Sequence, residues 1–223
     1  MSPDADTDWM SWCLMAMMFI SLLSVFGFST LYHTAICGSK CCAGCCLILD
    51  MGSIAFHISF AYFSAIYLAF WCRPGLRAFY MLWGCGLTSL LVVPQIMDRG
   101  ACSKASRICL CFGTGSGVIP ALHAVLAVTQ IEGELFAFAI ASMFFFYFLG
   151  GVFYFTAFPE SKWPGKFDYI FHSHQWWHLC VLLAGTAFMH GLINTHSYDF
   201  QNTNYKKPKF YIYFYHFTSD INN

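Results

Sequence analysis

Apolar residues fall into six long blocks, at approximately 9–35, 45–70, 77–94, 107–128, 135–157 and 174–195, with short polar connections between them. Each block is close to the roughly 20 residues a helix needs to cross the hydrocarbon of a bilayer. No block sustains a period of two, and an open sheet cannot satisfy its backbone in lipid, so the pattern predicts helices. The third block is short and is expected to end at Pro94. The reading is all-α: a polytopic transmembrane bundle of six helices at 9–195, preceded by an acidic segment at 1–8 and followed by an atypical tail at 196–223.

Composition strengthens this picture. Hydrophobic residues make up 58% of the 223 positions and aromatic ones 20%, while Asp, Glu, Lys and Arg together reach only 10%. Soluble domains carry about 25% charged residues. The first block is not read as a signal peptide, because its flank MSPDADTD is acidic and lacks the positive n-region. Formal net charge is zero and no basic stripe runs along the chain, which argues against a nucleic-acid partner. The twelve cysteines are scattered through apolar stretches, where a free thiol is an ordinary small buried group.

Loop charge sets the orientation. On the side reached at the end of the first block, here side B, the connections hold Lys40, Arg99, Lys104, Arg107, Lys162 and Lys166. The opposite side has Arg73 and Arg77, Glu132 and Glu134, and the acidic N-terminal segment. Side B is therefore expected to be cytoplasmic. Lys206, Lys207 and Lys209 in the tail fall on the other side and oppose this assignment.

Ionisable groups inside apolar blocks are costly and point to function. His33 closes the first block, with Ser29 four residues earlier on the same face; Asp50 lies early in the second; His174 and His178 open the sixth at i, i+4 spacing. Alternating crossings place all of these at side B. One reading is a shared metal site, in which three neutral imidazoles leave an open position for water, Asp50 holds or deprotonates that water, and Ser29 orients a ligand or donates to an oxyanion. The other is coincidence on helix faces, with Asp50 capping or pairing near the interface. Five other histidines, His57, His123, His172, His190 and His196, are read as interfacial polar residues.

Other features have plainer readings. The cluster Cys41, Cys42, Cys45 and Cys46, with Cys37 before it, suits palmitoylation, metal binding or simple packing at a reducing interface. Trp163, Trp176 and Trp177 fit an aromatic belt, Gly150 and Gly151 a close helix approach, and Phe144, Phe145 and Phe146 lipid or core contact.

Three separated motifs, FSTLYH with its aspartate seventeen positions after His33, FGTGSGVIPALH, and PESKWPGKFDYIFHSHQWWH from Pro159, resemble the progestin and adipoQ receptor family over about residues 20–195. The Ser-x3-His, Asp and His-x3-His set also resembles a wider superfamily that includes alkaline ceramidases. STLYH, ICG and CRPGLR are most similar to the fourth subtype. The resemblance implies Zn2+ held by His33, His174 and His178, with Asp50 contacting its water and Ser29 the serine of the signature. It also implies seven helices with a cytoplasmic N-terminus. This chain is expected to begin near the second of these, and its ending from Ser197 has no counterpart in the family.

Function divides three ways. As an enzyme, the chain would use zinc-activated water to hydrolyse a sphingolipid or ceramide-like amide whose chains stay in the bilayer. As a receptor, it would carry structural zinc and respond to a protein or steroid ligand. As a scaffold, it would retain partners at an internal membrane. Ser29 and Asp50 are superfluous to a scaffold. The expected location is multi-pass, in the plasma membrane or in Golgi and other endomembranes.

Overall fold

In the computed structural model the described residues are 9–71, 73–97, 104–127 and 131–202. All regular structure among them is helical: α1 (Trp9–Ala35), α2 (Lys40–Ala69), α3 (Pro74–Met97), α4 (Lys104–Ser116), α5 (Val118–Ala127), α6 (Ile131–Thr156) and α7 (Ser173–Asn202). They supply six stretches long and apolar enough to cross a membrane, with α4 and α5 together making the fourth. The fold is a polytopic helical bundle. The acidic segment 1–8, the Arg99 loop and Lys206, Lys207 and Lys209 lie outside the described residues, as does the side chain of His196.

Local chemistry sets the helix boundaries. α2 starts at Lys40, earlier than the expected 45, because Ser39 caps it: its hydroxyl accepts the Cys42 N–H at 3.2 Å. α3 opens on Pro74, whose missing N–H costs nothing at a first helical position. Pro94 does not end α3, which continues to Met97. The proline that does interrupt a helix is Pro120. It cannot donate to Ser116, and its ring crowds that carbonyl, so the fourth block breaks at Gly117.

Successive helices pack as neighbours, and α7 closes the bundle against α6, α1 and α2. Buried Met18, Ile66, Phe70, Phe136, Phe188 and Leu192 form the main core. Glycine lets α6 and α7 approach closely. A β-carbon on Gly150 would sit 2.9 Å from Cys180 Cβ, and one on Gly191 would collide with Ala139, whereas Gly151 faces open space. The outer surface presents large apolar side chains such as Leu82, Leu126, Phe138 and Phe148, as lipid contact requires.

His57 is not interfacial. It is 2% exposed and joins three helices: Nδ1 lies 3.0 Å from Ser21 Oγ on α1, and Nε2 lies 3.0 Å from Tyr147 Oη on α6. Ser21 spends its own proton on the Met18 carbonyl at 2.6 Å. His57 Nδ1 therefore donates to Ser21, and Nε2 accepts from Tyr147. A similar link joins α3 to α5, where Tyr80 Oη lies 2.8 Å from His123 Nδ1.

Candidate metal centre

α1 runs towards side B and α7 starts there, so the last turns of one meet the first turns of the other. The i, i+4 spacing puts His174 and His178 on one face of α7, opposite His33. His33 Nε2 lies 3.2 Å from His174 Nε2, and His174 Nε2 lies 3.2 Å from His178 Nε2. All three candidate ligand atoms fall within 4.8 Å of one another, and among the described residues no other group of His, Cys, Asp or Glu gathers in this way. Cys41, Cys42, Cys45 and Cys46 on α2, with Cys37 before it, form no such group; of these only Cys46 is buried.

The spacing can be compared with metal chemistry. Tetrahedral ligands with bonds of about 2.0–2.1 Å place their nitrogens about 3.3 Å apart. Each neutral imidazole has one bare nitrogen, and here the three Nε2 atoms converge. Without a cation, their lone pairs would repel unless protons were shared among them. The donor set and the spacing thus fit a metal ion.

Two further side chains reach the cluster. Ser29 is buried on α1, with Oγ 3.3 Å from His178 Nε2. Asp50 on α2 is half-buried, and its carboxyl interacts with the Ser29 hydroxyl and the His33 ring. Ser29, His33, Asp50, His174 and His178 therefore occupy one site built by α1, α2 and α7. Aromatic rings frame it: Tyr32 beside His33 at 5.2 Å between ring centroids, and Tyr154 beside His174 at 6.0 Å.

What orients His174 lies partly in the connection before α7. Glu160 accepts from both the N–H and the hydroxyl of Ser173, the former at 2.8 Å, and so puts a negative charge on the positive end of α7. Burial pushes the Glu160 carboxyl up, but the bonds from Ser173 and from its own backbone, aided by nearby His172, outweigh this and hold it below the ordinary range. His172 Nδ1 accepts the His174 N–H at 3.2 Å, and the Trp176 indole donates to the Phe171 carbonyl at 3.0 Å. Sequence reasoning missed Glu160 as a cap because it lies 13 residues from its partner, beyond any capping-box spacing.

The fold and the cluster define a class: a multi-pass helical membrane protein with a three-histidine centre at one end of its bundle. Residues 2–190 match the haemolysin-III related family, and the chain belongs to it. It is 31% identical over 195 residues to the progestin and adipoQ receptor-like protein 1 of Caenorhabditis elegans, covering 84% of this chain and 44% of that protein. It is also 31% identical to the adiponectin receptor protein of Drosophila melanogaster, over 78% of this chain and 40% of the relative. With the heptahelical transmembrane protein ADIPOR3 of Oryza sativa subsp. japonica the identity is 31% over 74% and 42%. The chain thus spans less than half the length of these curated relatives.

Proposed function

We infer that the chain holds zinc on His33, His174 and His178 and hydrolyses a ceramide-like lipid amide. The supporting observation is the pair of 3.2 Å Nε2 contacts with Ser29 and Asp50 on the same cluster. An all-nitrogen set suits zinc rather than calcium or magnesium, which take oxygen ligands. Three protein ligands also leave a position free, the pattern of a catalytic centre. When bound, zinc lowers the pKa of water towards about 7 and polarises a carbonyl.

The protein's own groups account for the rest of the chemistry. Asp50 takes the proton that water sheds as a C–O bond forms at the amide carbon. Ser29 donates to the oxygen on which negative charge develops. The C–N bond then breaks, the nitrogen takes up a proton, and a fatty acid and an amine result. A site at the end of a transmembrane bundle suits a substrate whose hydrocarbon stays in the membrane.

The relatives' names favour a second reading. The Drosophila protein is called an adiponectin receptor and the nematode one a progestin and adipoQ receptor-like protein. On that reading zinc is structural, fastening α1 to α7, and a protein or steroid ligand shifts the bundle. Metal analysis of the purified chain followed by ceramide turnover in nanodiscs separates the two. Stoichiometric zinc with turnover supports hydrolysis, zinc without turnover supports the receptor, and absence of zinc overturns both.

A further inference from the structure

The connection between α6 and α7 builds a second feature. Phe153, Phe158, Trp163, Phe167, Phe171 and Trp176 line an open cup of about 540 Å³. The Phe153 ring stacks on both Phe158 and Trp176, at interplanar angles of 25° and 22°. Two cations edge the cup: Lys162 Nζ is 6.0 Å from the Phe158 ring centroid and Lys166 Nζ is 5.7 Å from that of Phe167.

The nearby carboxylates are engaged elsewhere. Glu160 is bound to Ser173, and Asp168 Oδ1 accepts the Gly165 N–H at 3.1 Å. Among the described residues neither lysine is paired with a carboxylate. The cup therefore offers apolar rings beside two ammonium groups whose charge is not matched. From Phe171 in the lining back to Tyr169 the chain is open: Tyr169, Ile170 and Phe171 are 90%, 65% and 57% exposed, outside the spanning stretches. Three adjacent large apolar side chains in that position call for a bilayer interface rather than open water.

We propose that this cup binds an anionic phospholipid of the side B leaflet, with the phosphate between Lys162 and Lys166 and the upper acyl chain against the aromatic rings. The apolar lining disfavours a free phosphate, which would gain nothing from the rings. The exposed apolar triplet disfavours a soluble acidic peptide, because the membrane itself covers that surface. Side B carries the basic connections, so its leaflet is the one rich in anionic lipid.

Brominated lipids quench nearby tryptophan and give a direct test. The full chain is placed in phosphatidylcholine nanodiscs holding a minor fraction of brominated phosphatidylserine or brominated phosphatidylcholine. The Trp163 signal is isolated as the difference between the native chain and Trp163→Phe. Brominated phosphatidylserine should quench it preferentially, each lysine contributing roughly fivefold to the preference. Lys162→Gln with Lys166→Gln should bring the preference close to one, while the paired Lys→Arg changes retain it. Native mass spectrometry of the unmodified chain, with the two lipids competing, gives a readout that needs no variant to fold. Equal quenching and equal retention of the two lipids would overturn the proposal. So would a preference that survives loss of both lysines, or displacement of the lipid by inorganic phosphate.

Discussion

His33 and His174 are 141 residues apart in the chain, yet their Nε2 atoms lie 3.2 Å apart. Nothing local joins them; the bundle topology does, by ending α1 and starting α7 on the same side. If they share a metal, each is a link between two helices, because metal binding is coupled to folding. His33→Ala, His174→Ala and His178→Ala should each remove stoichiometric zinc and lower the thermal unfolding temperature. Elemental analysis of His174→Ala with zinc fully retained would sink the site.

Most of this arrangement was legible in the sequence. Helix count followed from block length, and the meeting of His33, Asp50 and His174 followed from alternating crossings. Where local chemistry competes with hydropathy the blocks misled. Pro94 looked like a stop, but α3 runs on past it to Met97, whereas Pro120 near Gly117 does break the fourth crossing. His57 looked interfacial because its partners are remote in the chain; Ser21 and Tyr147 are 36 and 90 residues away. Partners that distant are created only by packing.

That packing gives His57 a measurable role. His57→Phe keeps the ring volume but leaves the Tyr147 hydroxyl without its acceptor and removes the donor to Ser21. An interhelical bond in a membrane contributes on the order of 1 kcal/mol. Thermal stability should fall by an amount of that order while zinc stoichiometry stays at the native level. Stability equal to the native chain would show that the link contributes nothing.

The Glu160 cap makes a pH-dependent prediction. Its carboxyl is held below the ordinary value of 4.5 in the folded chain, so the stability it adds is fully present above that value. It is lost as pH falls below 4.5 through the lowered folded value, when the proton displaces the Ser173 bonds. Acid unfolding of Glu160→Gln should lack this component, and its amide exchange at Ser173 and His174 should be faster than native at neutral pH. Superimposable exchange in the two proteins at neutral pH would remove Glu160 from the account of how α7 is fixed.

The expected orientation rests on the charge of the loops, against that of the tail. With Lys40, Lys162 and Lys166 on side B, a tag inserted in the 157–172 connection should be reached only after the membrane is permeabilised. Labelling in intact, correctly oriented vesicles would place the metal cluster on the opposite side from the one argued here.

Asp50 separates catalysis from structure. It shares the site with His33 and Ser29 but belongs to a third helix, and a bundle fastened by three histidines does not need it. On the enzyme reading its carboxylate has to accept the proton that water sheds during attack, a step that Asn cannot perform although it keeps the size and much of the hydrogen bonding. Asp50→Asn should then retain zinc, with somewhat weaker affinity because a compensating negative charge is gone, while amide hydrolysis falls by about 10²-fold or more, the scale for losing a general base. On the receptor reading metal content and ligand response both stay near native, and neither form hydrolyses ceramide. The two measurements must be made on the same preparation, since turnover lost together with zinc reports only an emptied site. Zinc retained with turnover unchanged would mean that the proton goes elsewhere, and Ser29→Ala would be the next residue to test.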